Sequence, residues 1–130
     1  MHPPFTSKTT GIILGTERFD ACVTFYRDVL GLPVWFTKTD LVCLRFGGAY
    51  LMIETGGVAV DRKKHTGENP IILRFNVDDV SAAAAALTAR GVSVEVKSFT
   101  WGTVATFADP DGNLCELKNA DDPFFTRRVQ

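Results

Sequence analysis

The apolar positions of this chain change period twice, and the same order of periods occurs in each half. Phe19, Cys22, Val23, Phe25, Tyr26, Val29 and Leu30 recur at helical spacing, with Glu17, Arg18, Asp20, Arg27 and Asp28 between them. That spacing predicts an amphipathic helix. Thr16 reads as its N-cap with Glu17 in the first turn, and Gly31 as the left-handed residue that stops it. Residues 11–15 (GIILG) form a short apolar strand ahead of the helix. Three strands are expected after it: Val34–Lys38, then Leu41–Phe46 beyond a Thr39-Asp40 turn, then 49–54 beyond Gly47-Gly48, a strong hairpin signal.

Residues 56–69 interrupt the pattern. They are mostly polar, carry Asp61-Arg62-Lys63-Lys64-His65 and end before Pro70, and they read as a linker between halves or as a mobile loop over a site. The order then repeats. A strand is expected at 71–77, followed by a helix opened by Asp78 and Asp79. Its buried stripe would be Val80, Ala83, Ala84 and Leu87, and Gly91 stops it as Gly31 stops the first. Strands at 92–98, Gly102–Ala108 and 113–118 follow, the last two joined by Asp109-Pro110-Asp111-Gly112. In that turn Pro sets one dihedral and Gly is free to take positive φ. The chain reads βαβββ, linker, βαβββ, with a repeat of roughly 60 residues. The expected fold class is α+β: two βαβββ modules forming a cup-shaped mixed sheet with the helices outside. Module one covers about 10–55, the linker 56–70, module two 71–118 and a tail 119–130, all within one domain.

Composition narrows the function classes. A net charge of −1 gives no sign of nucleic acid or an anionic membrane as partner. No apolar run approaches the ~20 residues that span a bilayer. The first ten residues lack an apolar signal core, so a cytoplasmic protein is expected. Cys22, Cys43 and Cys115 lie in apolar patterns without CxxC spacing and read as buried thiols. The only histidines are His2 and His65, so a thiol–imidazole pair has little to draw on. In the tail, Phe124 and Phe125 read as residues that dock on a partner subunit or the cup rim.

Two stretches carry a family resemblance: Phe25-Tyr26-Arg27-Asp28-Val29-Leu30-Gly31-Leu32, and Phe107-Ala108-Asp109-Pro110-Asp111-Gly112-Asn113-Leu114-Cys115-Glu116-Leu117. In this order, with the repeated βαβββ pattern, the chain over roughly 10–118 resembles the vicinal oxygen chelate superfamily of glyoxalases, bleomycin-resistance proteins and extradiol dioxygenases. The resemblance implies a homodimer with cups at the junction of modules. It also implies a divalent metal held by one ligand from the first strand and one carboxylate from the last strand of each module. Those positions fall at Gly11 and Ile72, which cannot bind a metal, and at Glu54 and Glu116, which can. Strand alternation supports the carboxylates: Cys115 and Leu117 suit the helix side, so Glu116 points into the cup, and Glu54 shares a face with Met52.

Trp35 and Trp101 read either as an aromatic wall for a flat or cationic ligand or as core or dimer-interface packing, Trp101 preceding a strand where the family often places a ligand contact. Arg45 and Arg74 lie within strands, where they hold an anion or sit solvated at an edge. The expected function is small-molecule binding of the bleomycin-resistance type, without a cofactor. The alternative is a metal-dependent glyoxalase-like lyase, isomerase or dioxygenase using Glu54 and Glu116 as metal ligands or as general acid and base, with His65 as a loop contributor.

Overall fold

The computed structural model describes residues 3–120, so the expectations placed on His2, Phe124 and Phe125 lie outside the described residues. The chain divides into two compact units, one ending at Ala59 and one beginning at Val60. The first holds β1 (Gly11–Thr16), α1 (Phe19–Thr24) continued by a π-helical turn (Phe25–Val29), β2 (Val34–Lys38), β3 (Leu41–Phe46) and β4 (Ala49–Thr55). The second holds β5 (Leu73–Val77), α2 (Val80–Ala89), β6 (Glu95–Phe99), β7 (Gly102–Ala108) and β8 (Leu114–Asn119). Each sheet has four strands, ordered β1-β4-β3-β2 and β5-β8-β7-β6. In both, the first strand pairs parallel with the last, and the remaining pairs are antiparallel. The fold is α+β, built from two βαβββ modules.

The helix stops follow the sequence chemistry. Gly31 and Gly91 take positive φ, 78° and 88°, where a side chain would be strained. Asp79 caps α2 by accepting from the Ala82 N–H at 3.0 Å. Val80, Ala84 and Leu87 form the buried stripe of α2, which packs on β7 and β8 over Ala105, Phe107, Cys115 and Leu117, all buried. In the first unit Cys22, Val23 and Tyr26 face the sheet side of Leu44, Leu51 and Ile53. Each such aliphatic side chain contributes about 1.5–3 kcal/mol by leaving water.

Three local expectations are corrected. Thr16 is not a helix cap: it is the last, fully buried residue of β1, and its hydroxyl donates to the Glu54 carbonyl at 2.9 Å. The helix starts at Phe19 without a side-chain cap. Its end is not regular α-helix, because the Leu30 N–H reaches back five residues to Phe25. The widened turn lets the consecutive rings of Phe25 and Tyr26 both enter the core, edge to face at 5.2 Å. Strand β5 begins at Leu73 rather than 71, since the Asn69 side chain accepts the Ile71 N–H and turns the chain there.

The polar segment from Val60 to Asn69 is fastened to the turn after β7. Val60 N–H donates to Asp111 O at 3.0 Å and Lys64 N–H to Gly112 O at 2.8 Å. Lys64 Nζ and Asn69 Nδ2 both reach Asn113 Oδ1. The segment also carries an ion pair, Arg62–Glu68, with N···O distances of 2.6 and 2.8 Å. Arg62 first, then the His65 N–H, holds the Glu68 carboxyl down to about 2. A depressed carboxyl stabilises the fold above the unfolded value near 4.5, and that contribution is lost as pH falls toward about 2. We expect carboxyl-detected NMR to give a Glu68 midpoint near 2 in the intact chain and a rise toward 4.5 in Arg62→Ala.

Candidate functional site

Each sheet buries one face under its helix and leaves the other only partly open: Trp35, Phe99 and Trp101 are exposed there, whereas Cys43, Glu116 and Lys118 are buried. On the first unit's open face, alternation along β1 and β4 sets Gly11, Ile13 and Gly15 beside Tyr50, Met52 and Glu54. A β-bulge in β2 between Val34 and Phe36 puts two successive aromatic residues on this side. Trp35 packs against Phe36 (5.3 Å) and Tyr50 (5.7 Å), and the Arg45 guanidinium lies 4.3 Å from the Trp35 ring centroid. The Tyr50 ring covers Gly11: a Cβ built there would come within 2.2 Å of ring carbons. A side chain at this position would have to displace the half-buried Tyr50 ring.

On the second unit's open face, register sets Arg74, Glu116, Thr106 and Glu95 in one row, and Asn76, Lys118, Val104 and Lys97 in the next. Arg74 Nε donates to Glu116 Oε1, and Glu116 is 8% exposed. Phe99 and Trp101 flank the β6–β7 turn and stack face to face, 4.7 Å apart and 4° from parallel. Both rings are about half exposed. The buried Lys118 ammonium sits 5.1 Å from the Trp101 ring centroid. Lys63 adds hydrogen bonding to Thr106 (3.2 Å) and an ion pair to Glu95 (3.5 Å). Lys97, Phe99, Trp101, Val104, Thr106 and Glu116 together line an open concavity of about 280 Å³.

A family model described as Glyoxalase/Bleomycin resistance protein/Dioxygenase superfamily matches residues 10–117. The chain belongs to this superfamily. The uncharacterized protein YraH of Bacillus subtilis (strain 168) is 32% identical over 123 residues, covering 85% of this chain and 96% of that one. Among solved structures, a lactoylglutathione lyase from Agrobacterium tumefaciens superposes with a TM-score of 0.70 at 24% identity, covering 91% of this chain and 96% of its own. TnmS3, an antibiotic binding protein from Streptomyces sp. CB03234, gives 0.67 at 23%, covering 91% and 98%. At that identity these two superpositions show the shared fold.

The superfamily's implied metal finds poor donors at its positions here. Gly11 lies under the Tyr50 ring. Ile72 lies one residue ahead of β5 and offers no donor atom. Glu116 is engaged by Arg74, and a guanidinium at a carboxylate opposes a second cation there. Among the described residues no group of three or more His, Cys, Asp or Glu side chains is placed to hold a metal ion. Glu54 lies half-buried on the first open face. His65 is 71% exposed and pairs with Glu68 at 3.2 Å. All three cysteines are buried, and burial pushes the Cys43 thiol up while Arg45 opposes it, which keeps it unreactive.

Of the candidates named from sequence, the second sheet brings Trp101, Glu116 and Arg74 together, and the first brings Trp35 and Arg45 together. Sequence reading missed Tyr50, Lys97, Phe99, Thr106 and Lys118. Lys118 is two residues beyond Glu116, so strand alternation was the signal that would have put it on the same face. The others needed the strand register. We expect Gly11→Ala to cost about 1–2 kcal/mol in chemical denaturation, because the Tyr50 ring must move. In a Tyr50→Ala background the same substitution should cost little.

Proposed function

We propose that the protein binds a small, flat aromatic molecule on the open face of its second module, without the superfamily's metal. The observation that carries this is the exposed Phe99–Trp101 stack beside a concavity whose floor is polar and charged. Apolar rings with a few placed polar groups are the usual make-up of a small-molecule site. Its volume of about 280 Å³ falls just below the usual range of roughly 300–1,000 Å³ and suits a one- or two-ring ligand. The antibiotic binding function of TnmS3 gives this reading a precedent within the fold.

The geometry derives binding and orientation, and no chemical step. Trp101 and Phe99 supply apolar area, Thr106 and Lys97 polar contacts, and Arg74 holds Glu116 in place. Metal analysis of protein purified without chelator tests the metal-free part. Substoichiometric metal after incubation with Zn²⁺, Ni²⁺ or Mn²⁺ is the expected result. One metal per chain, lost in Glu116→Gln, would support the metal-dependent lyase or dioxygenase instead.

A further inference from the structure

Among the described residues, the open face of the second module carries more cationic than anionic groups. Strand register places Arg74 and Lys97 on it, Lys63 reaches in from the preceding segment, and Lys118 lies buried against Trp101. Against Arg74, Lys97 and Lys63 stand two carboxylates, Glu95 and Glu116, so that Lys63 and Lys97 share one counter-charge. Each carboxylate already has a cationic partner: Glu116 pairs with Arg74, and Glu95 lies 3.5 Å from Lys63 and 3.4 Å from Lys97. A cationic ligand on the Phe99–Trp101 shelf would therefore find its counter-charges engaged and would meet the Lys97 ammonium group. The Trp101 face, which a cation would otherwise use, already has Lys118 against it at 5.1 Å.

We propose that the ligand of this site is an aromatic anion, of the aryl carboxylate or phenolate class. This rests on the small-molecule reading above and adds the sign of the charge. The ring packs against the exposed surface of the Phe99–Trp101 pair. The acidic substituent lies over the charged rows, within reach of Lys97, whose side chain is 60% exposed and so free to reorient. Desolvation beside the apolar rings strengthens that attraction relative to open water.

Three probes with one ring system and different charge test this: 1-naphthoate, 1-naphthylmethylammonium and 1-naphthalenemethanol. Their binding is followed by the fluorescence of the single remaining tryptophan in a Trp35→Phe chain, with chelator present. We expect 1-naphthoate to bind about tenfold more tightly than the ammonium probe, with the alcohol between them. The preference should shrink as salt is raised to roughly 0.5 M. Lys97→Gln should weaken 1-naphthoate about threefold, and Lys97→Glu should bring the two charged probes level or reverse their order. A folded-state check by circular dichroism accompanies both variants. Tighter binding of the ammonium probe, or a 1-naphthoate affinity unmoved by Lys97→Glu, would overturn the charge assignment and leave the aromatic-binding reading intact. Failure of all three probes to bind would overturn both.

Discussion

Replacing Asp109 with alanine is expected to destabilise the fold by about 3–5 kcal/mol, because it orphans several buried donors at once. Asp109 is 5% exposed. Its Oδ1 accepts from the backbone N–H groups of Asp111 (2.9 Å) and Asn113 (2.8 Å), and Oδ2 accepts from Asn113 Nδ2 (2.9 Å). Asp111 and Asn113 are themselves buried, so water cannot take the place of the lost oxygens without opening the turn. The turn also holds Val60, Lys64 and Asn69, so the loss spreads to the segment between the modules. The close approach of that segment is visible at Gly112, where φ is 90° and a Cβ would lie 2.4 Å from the Arg62 carbonyl oxygen. Asp109→Asn keeps one acceptor for the two backbone donors but turns an NH₂ toward the Asn113 amide, so it should cost less, about 1–2 kcal/mol. Urea denaturation followed by circular dichroism measures both. A loss below about 1 kcal/mol for Asp109→Ala would mean that the turn does not anchor the second module.

The second large effect is on binding. Trp101→Ala should weaken an aromatic probe about 30-fold or more, equivalent to about 2 kcal/mol, which is the scale of a central aromatic contact in a binding site. The indole provides half of the shelf and positions Phe99 by stacking. Because Trp101 is 48% exposed, its removal should cost the fold no more than about 1 kcal/mol, mainly through the Phe99 and Lys118 contacts. Trp101→Phe keeps a ring in place and should lose only several-fold. Calorimetric titration of the three proteins separates these outcomes. Equal affinity in wild type and Trp101→Ala would place the ligand elsewhere.

The parts of the structure legible in the sequence are those whose cause is local. Gly31 and Gly91 end helices because only glycine takes that φ without strain, and Asp79 caps α2 through an N–H three residues on. Alternation around Cys115 and Leu117 placed Glu116 opposite the helix, and the register agrees. What stayed hidden depends on residues far apart in the chain. Thr16 looked like a cap because its immediate neighbours resemble a helix start, and only the parallel pairing of β1 with β4 puts the Glu54 carbonyl beside its hydroxyl. Arg74 read as either an edge residue or an anion holder. Its partner, 42 positions away, is Glu116, brought alongside by the parallel pairing of β5 with β8. Gly11 read as a missing ligand. The fold gives it a positive role, as the space into which the Tyr50 ring packs.

The central claim is that the second module's open face binds an aromatic ligand without metal. Titration of the Trp35→Phe chain with 1-naphthoate tests it most directly, first in chelator and then after saturation with Ni²⁺ or Mn²⁺. The account predicts saturable one-to-one binding with the same dissociation constant in both, within about twofold. Binding that emerges only with metal, and disappears in Glu116→Gln, would contradict it.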